Sequence, residues 1–212
     1  MRDKITFFQS WRWYLIGTLV FMVIGGLIVL TQDKAGTHLY FNRTHSDFQD
    51  FVFRWLTHGG DGYFAAFGAV LLVFITPKDR RLSIFLTSLI ALLVCGGLTL
   101  FLKQVVFHDA LRPSMFLANE SLHCVAGVDL HGFHSFPSGH TSAAFAFYGL
   151  WAIAFGKRAG LQGLFLLLAI LVGYSRIYLS QHFLEDVVVG AGVGILCLSI
   201  GYAVGRRFDP HH

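Results

Sequence analysis

The sequence has 212 residues, of which 55% are hydrophobic and 13% are charged. A soluble domain could not bury this much apolar surface in one core, so the composition excludes an ordinary soluble globular protein and indicates a lipid environment. The formal net charge of +4 is largely explained by basic residues that flank the apolar segments. It therefore gives no reason to expect a nucleic-acid partner.

Six apolar segments approach the roughly 20 residues that a helix needs to cross a bilayer. They predict an all-α polytopic membrane protein with six transmembrane helices in a bundle, over residues 13–31, 62–77, 82–103, 138–156, 160–179 and 183–205. The first segment follows a basic start, but its apolar run is long and has no cleavage pattern, so we interpret it as a membrane helix. Residues 1–212 are then expected to form a single membrane-embedded domain.

Between the first two spans, residues 46–57 place aromatic and aliphatic side chains at helical spacing. Ser46 and Gln49 have the form of a capping box at the start of this segment. The pattern predicts an amphipathic helix in the membrane interface, which could pack against the bundle or guide a substrate. Its apolar positions are Phe48, Phe51, Val52 and Trp55.

Lys and Arg residues cluster on one side of the predicted bundle, which the positive-inside rule assigns to the cytoplasm. We therefore expect an integral protein of the bacterial inner membrane with cytoplasmic termini and an active site that faces the periplasm or exterior. The residues of this basic side are Arg2, Lys4, Arg12, Lys78, Arg80, Arg81, Lys157, Arg158, Arg206 and Arg207.

Three stretches at the outer ends of spans hold the residues that could take part in a reaction. Lys103 and Arg112-Pro113 form the first of them. Both cations could surround a phosphoryl group, whose negative charge spreads over its equatorial oxygens during transfer. Each alone would be an ordinary interface charge.

The second stretch is Pro137-Ser138-Gly139-His140, at the start of the fourth span. Free N–H groups at a helix start favour an anion, and Gly139 permits close approach of a phosphate. His140 could give a proton to a departing oxygen. Taken alone, Ser138 would more often be an ordinary helix cap.

The third stretch contains Ser175-Arg176, His182 and Asp186. His182 and Asp186 are four residues apart and share a helix face, so the carboxylate can fix the imidazole tautomer and leave the other nitrogen free to attack. Arg176 could hold two phosphate oxygens, although an isolated arginine here could also extend to the membrane surface.

These stretches resemble the three-part signature of the type-2 phosphatidic-acid phosphatase superfamily: Lys, six residues, Arg-Pro; Pro-Ser-Gly-His; and Ser-Arg, five residues, His, three residues, Asp. The second and third parts match without change. In the first part eight residues separate Lys103 from Arg112, and Val105 stands where the family spacing would place lysine. We expect the loop to bulge there.

The resemblance implies a metal-independent, two-step hydrolysis with no cofactor. His182 would attack phosphorus, His140 would protonate the leaving group, and Asp186 would orient His182. The phosphate oxygens would be held by Lys103, Arg112, Ser138, Gly139 and Arg176. A water molecule would then release phosphate from the phosphohistidine.

The resemblance also implies a membrane lipid substrate with a phosphate or diphosphate at the outer interface. Its members suggest an isoprenoid diphosphate, phosphatidylglycerol phosphate, phosphatidic acid or lipid A. A lipid phosphotransferase is the nearest alternative, because the same phosphohistidine could pass its phosphate to another lipid. A vanadium haloperoxidase has a similar anion site but is soluble, and a lipid carrier would not need an ordered His–Asp pair.

Two further features complete the sequence analysis. The third loop, residues 104–137, contains four histidines without a metal-ligand spacing, and we expect them to be exposed loop residues. They are His108, His123, His131 and His134. On the last span, Gly190 and Gly194 permit a close contact between helices. We expect this contact within the bundle. A contact between subunits is the alternative, so the oligomeric state is open.

Overall fold

Helices form the regular structure of the protein in the computed structural model, which describes residues 11–156 and 158–210. These residues contain no strand, so the all-α prediction is confirmed for them. The α-helices are α1 (Arg12–Thr31), α2 (Lys34–Arg43), α3 (Asp47–Leu56), α4 (Gly62–Ile75), α5 (Arg81–Phe101), α6 (Pro113–Phe116), α7 (Gly139–Ala154), α8 (Ala159–Tyr178) and α9 (Leu184–Gly205). Short 3-10 turns occupy Thr57–Gly60, Lys78–Arg80 and Arg206–Phe208, and a π-helical turn occupies Leu102–Val106.

A helix lies at each of the six predicted spans, but the helices differ in length. Among the described residues, four segments are long and apolar enough to cross a bilayer: Arg12–Thr31, Lys78–Val106, Ala159–Tyr178 and Leu184–Phe208. The remaining two, α4 and α7, have 14 and 16 residues, fewer than the roughly 20 of a full crossing. A fifth span results if α4 is joined to segment Asp47–Gly60, from which it is bent by 62°.

Helix α7 lies at the centre of the bundle, packed against α4, α5, α8 and α9. The glycines of α9 allow the closest of these approaches. A Cβ atom at Gly194 would lie 2.4 Å from the carbonyl oxygen of Ser142, and one at Gly190 would lie 2.8 Å from that of Ser138. The small-residue pair therefore makes a contact within the bundle, as expected from the sequence.

The described basic residues of the predicted cytoplasmic side lie at one end of the bundle. The start of α5 is joined to the C-terminal end of α9 by an ion pair of 3.0 Å between Arg80 Nε and Asp209 Oδ2. The start of α1 is joined to the start of α8, because Gln162 Oε1 accepts hydrogen bonds from the backbone N–H groups of Trp13 and Tyr14. Arg2, Lys4 and Lys157 lie outside the described residues.

Helix α3 lies where the sequence predicted an amphipathic helix. Ser46 caps it, since its hydroxyl accepts a hydrogen bond from Gln49 N at 3.3 Å. Phe53 is buried against Tyr178, and this contact attaches the helix to α8. The other aromatic side chains are at least 60% exposed and face away from the bundle: Phe48, Phe51 and Trp55. Their placement in a membrane interface stays a prediction.

One histidine of the long third loop contacts both α2 and α3. Asn42 donates to the carbonyl oxygen of His123 at 2.9 Å and accepts from its N–H at 2.7 Å, while His123 Nε2 lies 2.8 Å from an oxygen of Asp50. The expectation that all four loop histidines are exposed was wrong for His123, because distant polar residues hold it against the bundle. No group of three or more possible metal ligands occurs in the described part of the chain.

Candidate active site

A cavity of about 470 Å³ lies at the end of the bundle where α9 begins, a size typical of ligand-binding sites. Five of the residues predicted from the sequence line it: Lys103, Arg112, His140, Arg176 and His182. The folded chain therefore brings the three stretches together in one place. The lining also includes Arg54, Thr57, His58, Asp61, Asp129 and Gln181, and its cationic groups outnumber its carboxylates.

His182 and Asp186 form the buried centre of the site. Nδ1 of His182 lies 3.2 Å from Oδ2 of Asp186, and each side chain is 1% exposed. The same carboxylate oxygen accepts hydrogen bonds from Ser135 Oγ at 2.5 Å and from Phe183 N at 3.0 Å. With Nδ1 held by the carboxylate, Nε2 is the imidazole nitrogen available to the cavity.

The surroundings of His182 favour its neutral form. Burial lowers the pKa of its imidazole well below the ordinary value, and the cations Lys103, Arg176 and Arg112 lower it further. Both causes act in the same direction, because each disfavours a second positive charge in the site. A neutral imidazole with a lone pair on Nε2 is a nucleophile.

Arg176 is buried at the C-terminal end of α8, with 7% of its surface exposed. Its Nη1 donates a hydrogen bond to Thr57 Oγ1 at 2.6 Å. Its Nε has no hydrogen-bond partner among the described residues. A buried guanidinium with a free N–H is costly unless an anion binds it, so this group is suited to an oxyanion.

Arg112 is held in place by neutral acceptors. Its Nε donates to the carbonyl oxygen of Phe133 at 2.9 Å, and its Nη1 donates to Gln181 Oε1, also at 2.9 Å. Burial lowers the pKa of Arg112, an effect that the charge of Asp186 partly opposes. These neutral groups orient the guanidinium. Its positive charge has no direct ion pair with a carboxylate among the described residues.

Lys103 reaches the site although the first motif is longer than the family spacing. It lies in the π-helical turn Leu102–Val106, which continues α5; such a turn accommodates an additional residue in a helix. A Cβ atom at Gly139 would lie 4.0 Å from Lys103 Cε, so the lysine stem passes beside the start of α7. The expected bulge is therefore helical rather than an open loop.

Ser138 and Gly139 lie beside the cavity at the start of α7. Ser138 Oγ accepts hydrogen bonds from Thr141 Oγ1 at 2.8 Å and from Thr141 N at 3.4 Å, and Ser138 N donates to the carbonyl oxygen of Asp186 at 2.9 Å. These bonds fix the start of α7 to the start of α9. The N–H groups of Gly139 and His140 have no acceptor within the helix. They are therefore the groups at this helix start that we expect to bind an anion.

His140 has a carboxylate partner that the sequence did not predict. Its Nε2 lies 2.7 Å from Asp61 Oδ1, and the second oxygen of Asp61 lies 2.7 Å from His58 Nδ1. The bond to His140, with a further contribution from His58, lowers the pKa of Asp61 to about 2. The site thus contains two His–Asp pairs, His140–Asp61 and His182–Asp186.

The residues around the site that were missed in the sequence include Thr57, Asp61, Ser135 and Gln181. Thr57 and Asp61 flank His58-Gly59-Gly60, and this polar break before a short span was an available signal. Gln181 directly precedes His182 and could have been suspected from that position. Ser135 offered no signal, because a single serine in a polar loop is unremarkable.

The apolar helices are those of an integral membrane protein, and one cavity between them is lined by histidines and several cations. The sequence model of the PAP2 superfamily matches residues 81–209, which is more than half of the chain. The protein belongs to the PAP2 superfamily, and the resemblance stated from its motifs is confirmed.

Two relatives show how far the sequence similarity extends. A lipid A 1-phosphatase of Porphyromonas gingivalis is 40% identical over 70 residues, which cover 32% of this chain and 16% of that protein. The bacitracin transport permease protein BcrC of Bacillus licheniformis is 33% identical over 135 residues, which cover 63% of this chain and 61% of that protein. The chain thus spans less than two thirds of the length of either relative.

Two solved structures share the fold. LpxE of Aquifex aeolicus has 27% sequence identity and a TM-score of 0.67, and the similarity covers 79% of this chain and 93% of LpxE. A transmembrane PAP2-type phosphatidylglycerolphosphate phosphatase from Bacillus subtilis has 20% identity and a TM-score of 0.62, over 97% of this chain and 100% of its own. At 20% identity the second similarity concerns the fold alone.

Proposed function

We propose that the protein is a metal-independent lipid phosphatase that hydrolyses a phosphomonoester or diphosphate through a phosphohistidine on His182. The observation that carries this proposal is the buried His182–Asp186 pair at a cavity whose lysine and arginine side chains have no ion pair with a carboxylate in residues 11–156 and 158–210. Arg176 Nε, buried and without a partner in the described residues, is the clearest sign that an anion is expected there.

In the first step, Nε2 of His182 attacks phosphorus and the bond from phosphorus to the leaving oxygen breaks. The electron pair of that bond goes to the leaving oxygen, to which His140 transfers a proton. Asp186 keeps Nδ1 of His182 protonated and stabilises the positive charge that develops on the ring. The products of this step are the dephosphorylated lipid and phosphohistidine.

In the second step, water attacks the phosphohistidine. His140, now neutral, accepts a proton from the water, the bond between Nε2 and phosphorus breaks, and inorganic phosphate leaves. Lys103, Arg112 and Arg176 stabilise the equatorial oxygens in both steps, together with the helix start at Ser138 and Gly139. These groups supply the charge stabilisation that a metal ion provides in other phosphatases, and no cofactor takes part.

The proposed membrane topology has six crossings in a single domain over residues 1–212. The lengths of α4 and α7 are compatible with crossing where the bilayer thins or where the bundle covers the helix ends. The described basic residues of the predicted cytoplasmic side lie at the end of the bundle away from the cavity, which supports cytoplasmic termini and an active site facing the periplasm or exterior of the inner membrane.

The substrate is proposed to be a membrane lipid that carries its phosphate or diphosphate at this outer interface. The related proteins include a lipid A phosphatase and a phosphatidylglycerolphosphate phosphatase, and both lipids belong in a substrate panel with phosphatidic acid and an isoprenoid diphosphate. The cationic cavity accounts for recognition of the phosphoryl group that all four share. It does not distinguish their tails.

The test is phosphate release from this panel by the detergent-solubilised chain in the presence of EDTA, compared with His182→Ala. We expect release that persists in EDTA and is lost in the variant, and an acid-labile phosphoryl adduct on His182 after rapid quenching. Release that EDTA abolishes, or a variant as active as the wild type, would refute the mechanism. The same panel ranks the substrates.

Product analysis with a labelled substrate separates hydrolysis from transfer. Label that appears in a second lipid instead of inorganic phosphate would establish the phosphotransferase. Because one relative is named a transport permease, transport is also measured in vesicles: transport that survives His182→Ala in a protein without phosphate release would favour a carrier. The ordered His182–Asp186 pair argues against that outcome, because binding alone does not require an oriented nucleophile.

A further inference from the structure

Asp61 lies at a junction that fixes the position of its carboxylate. It is the N-cap residue of α4 and follows the 3-10 turn Thr57–Gly60, and its N–H donates to the carbonyl oxygen of His58 at 3.0 Å. The turn packs directly on the backbone of α7, since a Cβ atom at Gly60 would lie 2.6 Å from the carbonyl oxygen of His140. Only glycine permits this approach, which brings the Asp61 carboxylate to the imidazole of His140.

The carboxylate bridges two histidines. Its Oδ1 lies 2.7 Å from His140 Nε2 and its Oδ2 lies 2.7 Å from His58 Nδ1. Because Nε2 of His140 is committed to the carboxylate, Nδ1 is the nitrogen that can face the reacting group. The arrangement mirrors the opposite pair, in which Asp186 holds Nδ1 of His182 and leaves Nε2 available.

The two pairs nevertheless meet opposite requirements. The nucleophile His182 must be neutral, and its carboxylate partner shares its charge with Ser135 Oγ and Phe183 N. The proton donor His140 must be cationic when the lipid leaves, although burial acts most strongly against that form and the charges of Arg176 and Lys103 add to this effect. The charged and titratable groups that act on His140 are thus Asp61, Arg176 and Lys103, of which only Asp61 favours a protonated ring.

We propose that Asp61 is a positioning residue that keeps His140 in the tautomer and charge state of a proton donor. The inference rests on the proposed function and specifies a part of it that the family motifs do not contain. When the bond from phosphorus to the leaving oxygen breaks, the Nδ1 proton of His140 passes to that oxygen, while the Nε2 proton remains on the ring, hydrogen-bonded to Asp61. The ring becomes neutral without turning, and it can accept a proton from the attacking water through the same nitrogen.

The proposal makes the effect of Asp61 depend on the leaving group. An alkoxide leaving from a lipid phosphate needs a proton, whereas the p-nitrophenolate leaving from p-nitrophenyl phosphate is stable without one. Asp61→Asn retains the shape of the side chain but removes its charge. We therefore expect Asp61→Asn to lower kcat on the lipid phosphate roughly 100-fold with little change in KM, and to lower kcat on p-nitrophenyl phosphate less than 10-fold.

The pH profile gives a second readout. With the carboxylate removed, His140 loses its proton at lower pH, so the alkaline limb of kcat on the lipid phosphate moves to lower pH in Asp61→Asn. Asp61→Glu retains the negative charge and should keep this limb closer to its wild-type position. If Asp61→Asn does not fold, as judged by thermal unfolding in detergent, the Asp61→Glu profile alone carries the test: a limb displaced to lower pH would contradict the proposal.

The matched control is Asp109→Asn. Asp109 also pairs with a histidine, His108, at 3.0 Å, but its side chain is 87% exposed. Equal losses on both substrates in Asp61→Asn, with an unmoved alkaline limb, would assign Asp61 a structural role and overturn the proposal, as would the same profile change in Asp109→Asn. If wild-type protein released phosphate and His182→Ala did not, failure of the Asp61 test would leave the proposed function intact.

Discussion

Arg176 and Thr57 are joined by a hydrogen bond of 2.6 Å between Nη1 and Oγ1, across 119 residues of sequence. The bond links the C-terminal end of α8 to the turn before α4, and it uses one side of the guanidinium. Nε remains without a partner in the described residues. The geometry thus divides the guanidinium into an anchored part and a part available to a phosphate.

This division predicts different effects for two substitutions. Arg176→Lys retains the charge but cannot bind Thr57 and a phosphate in a planar fork, so kcat/KM should fall roughly 10- to 100-fold. Thr57→Val removes only the anchor and should cause a smaller loss. Both are measured by phosphate release from the best substrate of the panel. Equal activity of Arg176→Lys and the wild type would show that only charge matters at this position.

Asp186→Asn should affect the chemical step more than binding. The amide cannot hold Nδ1–H of His182 as a carboxylate does, so the imidazole loses both its tautomer and its electrostatic support. We expect kcat to fall roughly 100- to 10,000-fold with little change in KM. Rapid-quench labelling should show a correspondingly slower formation of phosphohistidine. A variant with unchanged kcat and a raised KM would instead assign Asp186 to substrate binding.

The lowered pKa of His182 predicts that the acidic limb of kcat/KM lies below pH 6.5. At any pH above the lowered pKa the imidazole is neutral and active, and protonation below it abolishes attack. Lys103→Gln removes one of the cations that disfavour the imidazolium, while Arg112, Arg176, His140 and Asp186 stay in place. The limb should therefore move to higher pH in this variant. A limb that stays or moves to lower pH would contradict the electrostatic explanation.

The helix contact at Gly194 predicts a loss of stability on substitution. A Cβ atom there would lie 2.4 Å from the backbone oxygen of Ser142, so Gly194→Ala must separate α7 from α9, at a cost of about 1–3 kcal/mol. Gly163→Ala is the control, because no described atom beyond its chain neighbours and the adjacent backbone of its own helix lies within 4 Å of its Cβ position, and alanine favours a helix. Thermal unfolding in detergent should show a lower Tm only for the first variant.

The sequence predicted the positions of the helices well, because these depend on local spacing, and several of the motif residues meet at one cavity. Apolar runs determined where α1, α5, α8 and α9 lie, and the four-residue spacing predicted the contact between His182 and Asp186 that the structure contains. The lengths of α4 and α7 were less well predicted. The predicted spans 62–77 and 138–156 are longer than α4 and α7, because polar or small residues at the ends of these helices obscured their boundaries.

The partners of the motif residues could not be predicted, because they come from distant segments. Asp61 meets His140 only when the turn before α4 packs on α7, and Thr57 meets Arg176 through the same packing. His123 gave the opposite error: its position in a polar loop indicated exposure, although Asn42 and Asp50 hold it in place. Such contacts depend on how helices assemble, which periodicity within one segment does not encode.

The acceptors of Arg112 and Arg176 have a consequence for the end of the catalytic cycle. Phe133 O, Gln181 Oε1 and Thr57 Oγ1 are neutral, so they orient the two guanidinium groups without cancelling their attraction for a small oxyanion. Inorganic phosphate left in the cavity after hydrolysis meets the same charges as the substrate. Under the proposed mechanism, the rate of product release from the cavity would limit turnover in part, and we expect free phosphate in the medium to compete with the lipid.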